Sequence, residues 1–186
     1  MNYAAVKKND IANGPGVRVS IFVSGCRHRC PGCFNKEAQN FTAGEPYTEK
    51  VEQDIISAAS ADYVAGLSLL GGEPFERENR AGLLQLCKNF RKTYPNKTIW
   101  CYTGFSFEEL LEKEQKGEDN VRALLEQIDI LVDGRFEKDK KSAALLFRGS
   151  SNQRIIDVKK TLSCGKAVIA KGKWERTMGR GGIEEA

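Results

Sequence analysis

Cys26, Cys30 and Cys33 fall in one short run, Ser24-Gly25-Cys26-Arg27-His28-Arg29-Cys30-Pro31-Gly32-Cys33-Phe34-Asn35, and the C-x3-C-x2-C spacing lets a single loop present three thiolates. Thiolates are soft ligands that select zinc, copper(I) or iron–sulfur clusters, and an electron-transfer [4Fe–4S] cluster ordinarily takes four of them. Three thiolates leave one iron open to a substrate or cosubstrate, as a catalytic zinc keeps one position open. The spacing therefore points to chemistry at a cluster. A structural zinc site is the competing reading, with His28, the single histidine of the chain, as fourth ligand. Zinc ligands are typically spaced as two short pairs joined by a longer loop, and no second C-x2-C or H-x3-H pair occurs here.

The other cysteines, Cys87, Cys101 and Cys164, stand far apart. Cys87 shares a helical face with Leu83, Leu86 and Phe90, and Cys101 lies in the strand-like Thr98-Ile99-Trp100-Cys101-Tyr102; both read as core residues, free cysteine behaving as a small hydrophobe. Cys164 precedes Gly165 in an expected turn and is left open. Met1 to Lys8 shows no signal-peptide pattern, and no apolar run approaches the ~20 residues of a membrane span. The expectation is a cytoplasmic chain with reduced thiols, no disulfide and no membrane contact.

These residues need a scaffold. A chain of 186 residues, 40% hydrophobic and 29% charged, can form one globular domain, expected over 1–170, with a tail over 171–186 where Gly179-Arg180-Gly181-Gly182 ends regular structure. The net charge of +4 is spread along the chain, with Lys-Lys pairs at 7–8, 140–141 and 159–160 but no basic stripe interleaved with aromatics, so no nucleic-acid partner is expected.

Apolar runs rich in β-branched residues alternate with helical patterns, which predicts βα units and a mostly parallel sheet. Strands are expected at Val17 to Val23, Tyr63 to Leu70, Thr98 to Tyr102 and Ile128 to Val132, with weaker candidates at Arg154 to Val158 and Ala167 to Ala170. Helices are expected from an N-cap at Thr48, from Asn79 to Tyr94 ahead of Pro95, from a capping box at Ser106-Phe107-Glu108-Glu109 to a break at Gly117, and over Val121 to Gln127. Five or six such units are too few for a closed eight-stranded barrel of ~250 residues. The predicted fold is α/β, a partial (βα)5-6 barrel.

Ligands of parallel α/β folds gather at the carboxyl ends of strands, where both unusual loops fall: the cysteine loop after the first expected strand and Gly71-Gly72-Glu73-Pro74 after the second. Paired glycines permit close backbone approach, and Pro74 fixes the exit of the turn.

The three-cysteine loop followed by Gly-Gly-Glu-Pro in a short βα chain resembles the radical S-adenosylmethionine (radical SAM) enzymes. Four blocks narrow the resemblance: Asn13-Gly14-Pro15-Gly16-Val17-Arg18, the cysteine loop itself, Leu131-Val132-Asp133-Gly134-Arg135-Phe136, and Phe147-Arg148-Gly149-Ser150-Ser151-Asn152-Gln153-Arg154. In this order, within about Asn2 to Asp157, they are similar to the activating enzymes of anaerobic (class III) ribonucleotide reductase. Gly32 stands where many radical SAM enzymes carry an aromatic, and with Phe34 it fits that subgroup. Asn13 stands where related glycyl-radical activases often have Asp, which leaves its role open.

The resemblance implies one [4Fe–4S] cluster on Cys26, Cys30 and Cys33, with S-adenosylmethionine chelating its open iron through amino and carboxylate groups. One electron into the sulfonium would give methionine and a 5'-deoxyadenosyl radical that takes hydrogen from a glycine of the partner. Gly32, Cys33, Phe34, Gly71, Gly72, Glu73 and Pro74 are the implied cofactor contacts. Glu73 either reaches the ammonium or braces its turn, and Phe34 either packs on adenine or anchors the loop in the core. His28, Asn13, Asp133, Arg148, Asn152 and Arg154 stand as second-shell or substrate-groove candidates; His28 is alternatively a solvent-facing loop residue, and Asp133, Arg148, Ser150, Asn152 and Arg154 alternatively fix loops at the rim. The implied partners are the large subunit of the anaerobic reductase, entering with its glycyl-radical loop, and a low-potential electron donor such as flavodoxin. An activase of another glycyl-radical enzyme, such as formate-lyase, or a small-molecule radical SAM enzyme is the nearest alternative; a non-catalytic zinc-binding module is the third.

Overall fold

A computed structural model of the chain describes residues 1–172 and 174, and the expected tail beyond Trp174 lies outside the described residues. Seven strands form one open sheet in the order β3-β1-β2-β4-β5-β6-β7. Its centre is parallel: β2 (Val17–Val23), β4 (Val64–Gly71), β5 (Thr98–Tyr102) and β6 (Ile130–Asp133) run side by side. Its flanks are antiparallel, with β1 (Asn2–Asp10) between β2 and the two-residue β3 (Glu45–Pro46), and β7 (Arg154–Asp157) on β6.

The helices α1 (Glu49–Ala58), α2 (Arg77–Thr93), α3 (Phe107–Gln115) and α4 (Val121–Leu125) follow the local signals. The Thr48 hydroxyl accepts from the Val51 amide, and Ser106 and Glu109 complete the reciprocal capping box. α2 ends two residues before Pro95, because a residue preceding proline is pushed out of the helical region.

The alternation of the strands sorts two layers. Val19, Ile21, Val23, Leu67, Leu69, Ile99, Cys101, Leu131 and Ile156 point to one face and bury against Ile55, Leu83, Leu86, Cys87, Phe90, Leu110 and Leu124 of the helices. Cys87 and Cys101 are fully buried, as their patterns predicted, and burial raises both thiols, Cys87 to about 12. The opposite face carries a smaller cluster of Trp100, Val132, Ile155 and Ala170, with Phe147 and Trp174 edge-on to the Trp100 ring.

The structure corrects the sequence reading in four places. The sheet is mixed rather than built from five or six βα units. β7 returns antiparallel because 134–153 contains no α-helix, and a parallel return needs a crossover of a dozen or more residues, usually helical. β1 was not expected, since Lys7, Lys8 and Asn9 make it an exposed, polar outer strand. Val158–Cys164 forms α5, capped by the Asp157 carboxylate on the Lys160 amide and closed by Gly165 at φ +72, so Cys164 ends a helix and is exposed. Ala167 to Ala170 makes a single bridge, Ile156 to Ile169, instead of a strand.

The block Asn13 to Arg18 lies at the amino end of β2, away from the cysteine loop. Arg18 is fully buried and donates to Ser68 Oγ (2.7 Å), Leu67 O (2.8 Å), Thr98 O (2.8 Å), Thr98 Oγ1 (3.0 Å) and Pro15 O (3.4 Å). A Cβ on Gly14 would sit 2.8 Å from the Arg18 side chain and 3.2 Å from Trp100, so glycine is what lets the loop close over the guanidinium. Asn13 takes part in the same plug, donating to Asp10 Oδ2 (2.6 Å) and accepting through its carbonyl from Ser68 Oγ (2.6 Å). Its expected place beside the chemistry gives way to a place in the scaffold. Arg18→Ala strands several buried acceptors and should lower the unfolding free energy by about 3 kcal/mol in urea denaturation of the cluster-free protein. A loss below about 0.5 kcal/mol would show that the plug does not depend on this side chain.

Candidate metal and cofactor site

The base of the cysteine loop is stitched on both sides. Gly25 donates to Ala38 O (2.7 Å) and Cys26 to Gln39 O (3.1 Å), while Gly72 donates to Val23 O (2.7 Å) and Glu73 to Gly25 O (2.8 Å). Gly25 adopts φ +96, and a Cβ there would lie 2.2 Å from the Phe41 ring. The loop then turns tightly, with Cys33 donating to Cys30 O (3.2 Å) and Gly32 at φ +72. At Gly32 the demand is conformational, because an added Cβ would meet only ordinary contacts, Lys138 at 3.5 Å and Phe136 at 3.7 Å.

Cys26, Cys30 and Cys33 are free and half-buried. Burial, with Glu73 and Glu76 adding to it, pushes the Cys26 thiol up to about 11, and burial also raises Cys30. Burial thus favours the protonated form of Cys26 and Cys30, and ligation must displace those protons. Among the described residues no three His, Cys, Asp or Glu side chains converge on a point as they would around a single metal ion. Three soft donors on one half-buried loop, with glycine between the second and third, fit a cluster.

Glu73 is the hub beneath that loop. Its side chain is 1% exposed. One carboxylate oxygen accepts from the Phe75 amide (2.8 Å) and Thr103 Oγ1 (2.8 Å), and the other from the Gly104 amide (2.7 Å). These three bonds tie the turn after β4 to the loop after β5. The Glu73 carbonyl accepts from Asn79 Nδ2 (2.9 Å), which also donates to Ser24 O (3.0 Å), tying α2 to the same junction. Gly71, at φ +108, and Gly72 answer a backbone constraint: a Cβ on Gly71 would lie 2.7 Å from Phe22 Cα, and one on Gly72 2.5 Å from Gly25 O. The approach that demands glycine is that of the chain's own backbone, β2 at Gly71 and the cysteine loop at Gly72. Pro74 is buried behind them.

His28 leans from the loop onto this hub. Its ring packs edge-on to Phe105 at 4.4 Å, Nδ1 accepts from Arg135 Nε (3.1 Å), and Nε2 lies 3.3 Å from a Glu73 oxygen, off the line of a hydrogen bond. Both ring nitrogens face protein groups, which leaves neither aimed as a fourth metal ligand. Gly104 is glycine because the ring occupies its Cβ position, 2.4 Å from His28 Cδ2. Phe34 is not a core anchor: it is 66% exposed, edge-on to Phe136 at 5.3 Å, with Lys141 Nζ 4.8 Å from its ring centre.

The rim candidates form a second brace. Asp133, at the end of β6, accepts from the Phe107 amide (2.8 Å) and from Arg154 Nε (3.0 Å), and Arg154 also reaches Glu108 (2.6 Å). Arg148 donates to Gln153 O (2.9 Å) and Asn152 to Arg135 O (2.9 Å), while Gln153 bridges Gly149, Ser150 and Gly134. The 147–154 block thus holds 134–141, whose Arg135, Phe136 and Lys138 touch the cysteine loop.

Sequence reasoning missed Thr103-Gly104 and the Arg27 latch. Arg27 pairs with Glu76 (2.5 Å) and Glu78 (2.7 Å) at the start of α2 and lies over Phe41 (4.3 Å). A small Thr-Gly pair at the carboxyl end of β5, the same sheet end as both loops, was the available signal; Arg27 had none, since its acids lie some fifty residues away.

The 4Fe-4S single cluster domain model matches residues 12–156. The chain is 41% identical over 157 residues to the anaerobic ribonucleoside-triphosphate reductase-activating protein of Pasteurella multocida (strain Pm70), covering 83% of this chain and 96% of that one. Its namesake from Escherichia coli (strain K12) is 39% identical over 155 residues, with 82% and 96% covered. The namesake from Enterobacteria phage T4 is 36% identical over 155 residues, with 83% and 93% covered.

Two outcomes follow from this geometry. Glu73→Gln replaces one accepting oxygen with a donor and should cost about 2 kcal/mol of stability in denaturation of the cluster-free protein, with faster hydrogen exchange at Gly104; unchanged exchange would remove Glu73 from the junction. Hydrogen bonds from Arg27 lower the Glu78 carboxyl to about 2, below its ordinary value of 4.5. The folded pKa is the depressed one, so the pair's contribution is complete above about 4.5 and fades as pH falls toward 2. Glu78→Gln should flatten that part of the stability–pH curve, and an unaltered acid limb would show the latch idle.

Proposed function

Because the chain belongs to the family of anaerobic ribonucleoside-triphosphate reductase-activating proteins, we propose that it is a radical SAM enzyme that installs a glycyl radical on anaerobic ribonucleotide reductase. The observation that carries this reading is the loop of three free, half-buried thiols at the carboxyl end of β2, braced from below by the buried Glu73 carboxylate. Cys26, Cys30 and Cys33 would hold one [4Fe–4S] cluster. When bound, the cluster would supply the one electron for reductive cleavage of S-adenosylmethionine, the chemistry by which a hydrogen would be taken from a glycine Cα of the reductase.

The remaining work falls to the chain's own groups. The Gly71-Gly72-Glu73-Pro74 turn forms the floor beside the loop, with backbone carbonyls suited to the methionyl ammonium. Gly32 and Cys33 shape the loop's inner turn, and the exposed Phe34 ring is available to stack on adenine. His28, clamped between Arg135 and Glu73, fixes the loop's orientation relative to β5 and β6. Asp133, Arg148, Asn152 and Arg154 hold the 134–141 segment against the loop. We read the open sheet as the partial barrel of this family, in one domain over 1–170, with its unpaired side admitting the reductase's glycine-bearing segment. The reductase large subunit is the partner, and the reductant is a low-potential carrier protein in an anaerobic cytoplasm. No helix among the described residues is long and apolar enough to cross a membrane.

The test is anaerobic reconstitution followed by S-adenosylmethionine cleavage and detection of a glycine-centred radical on co-incubated reductase. Cys26→Ala, Cys30→Ala and Cys33→Ala should each lose cluster-bound iron and activity. Cys87→Ala should keep both while losing about 1 kcal/mol of stability to a small cavity. A triple variant that still binds four irons, or a parent that binds only zinc, would overturn the assignment.

A further inference from the structure

A cavity of about 650 Å³ opens between α1 and α2. α1 lines it from Glu49 to Ile56 and α2 from Gln85 to Thr93, each with one stripe at helical spacing. The facing stripes of packed helices are ordinarily apolar, and here Ile56 is the one hydrocarbon side chain they offer. Glu52 lies in this wall, 8% exposed, yet it forms no ion pair among the described residues. Its partners are neutral donors, the Tyr47 hydroxyl (3.0 Å) and Asn89 Nδ2. Unlike Glu73, its carboxylate receives no backbone amide among the described residues, so about two of its four acceptor positions stay open. Asn89 Oδ1 and the side-chain amide of Gln85, one turn earlier on α2, also form no hydrogen bond among the described residues. Buried charges are ordinarily met by opposite ones, and this groove gathers open acceptors around a charge that is not.

We infer that the α1–α2 groove binds an organic monocation, with its guanidinium or primary ammonium group on the Glu52 carboxylate and its remaining donors on Asn89 Oδ1 and Gln85. The fork of guanidinium donors suits a carboxylate flanked by neutral acceptors. Calcium or magnesium would call for several converging oxygen ligands, and no three acidic side chains converge among the described residues. Lys92 lines the groove, exposed and without an ion pair among the described residues, so it repels a second positive charge and can answer a carboxylate. The cationic group therefore comes from the side chain of a partner chain or from a free amino acid. The groove shares no residue with the cysteine loop, and the inference stands independently of the activase reading.

The experiment titrates the full-length, anaerobically loaded protein calorimetrically with N-acetyl-arginine amide, with free arginine, and with N-acetyl-citrulline amide as the uncharged counterpart. Arginine, blocked or free, should bind with a dissociation constant below about 5 mM, and citrulline at least about tenfold more weakly. Glu52→Gln keeps the shape of the side chain and should weaken arginine binding at least about tenfold. Gln85→Ala, at an exposed position, should weaken it about threefold with the fold undisturbed. Free arginine binding more tightly than the blocked form, with the gain lost in Lys92→Ala, identifies a free amino acid as the source; equal or tighter binding of the blocked form identifies a side chain of a partner. The inference is overturned if neither form of arginine binds below about 5 mM, or if citrulline matches it. It is also overturned if Glu52→Gln binds like the parent, which would leave Glu52 as a clamp between Tyr47 and Asn89 alone. Where Glu52→Gln does not fold, the citrulline and Gln85→Ala titrations decide.

Discussion

The structure turns on one buried carboxylate. Glu73 accepts from two backbone amides and a hydroxyl and faces the His28 ring, so it joins the end of β4, the loop after β5 and the cysteine loop at a single point. A carboxylate removed from water is tolerable only when its lone pairs are met, and here the donors come from its own turn and from the loop that follows the neighbouring strand β5. Because one oxygen accepts from both Phe75 and Thr103 and the other from Gly104, displacing either the 73–75 turn or the 103–104 loop leaves acceptors unsatisfied. The site's rigidity follows from that shared penalty more than from any single contact.

Around this point the four sequence blocks divide into three kinds of work. Asn13 to Arg18 plugs the far end of the sheet, where the Arg18 guanidinium meets carbonyls and hydroxyls instead of an acid; burial lowers it to about 10. Residues 131–136 and 147–154 act as one brace, because Asp133, Asn152 and Gln153 connect them. The cysteine loop is the only block left with free reactive atoms. The rim arginines, substrate-groove candidates by sequence, are engaged within the protein, Arg148 on Gln153 O and Arg154 on Asp133 and Glu108.

Signals confined to a few consecutive residues were readable in the sequence. The boundaries of β2 and β5, the Thr48 cap and the Ser106 box needed only alternation and capping patterns, and the spacing of the three thiols pointed to a cluster, with zinc as the competing reading. What stayed hidden depended on distance along the chain. The pairing of β7 was decided by what 134–153 fails to supply, the Arg27 latch by acids some fifty residues on, and the His28 clamp by Arg135, more than a hundred residues away. The glycines of Gly71-Gly72 were visible, but their reason was not: the backbone they admit belongs to β2 and the cysteine loop of this same chain.

The reach of the His28 clamp bears on how the protein matures. The loop that carries the thiols is contacted from residues 38–39, 72–73, 104–105 and 135, so its shape is specified by contacts far from it in sequence. Such contacts form only after long loops have closed, which places them late in folding. A chain still emerging from the ribosome owns all three cysteines long before it owns the residues that arrange them. Iron insertion at the proposed site would thereby be tied to a nearly complete fold, since an unfinished chain offers three thiols on a loop not yet held in shape.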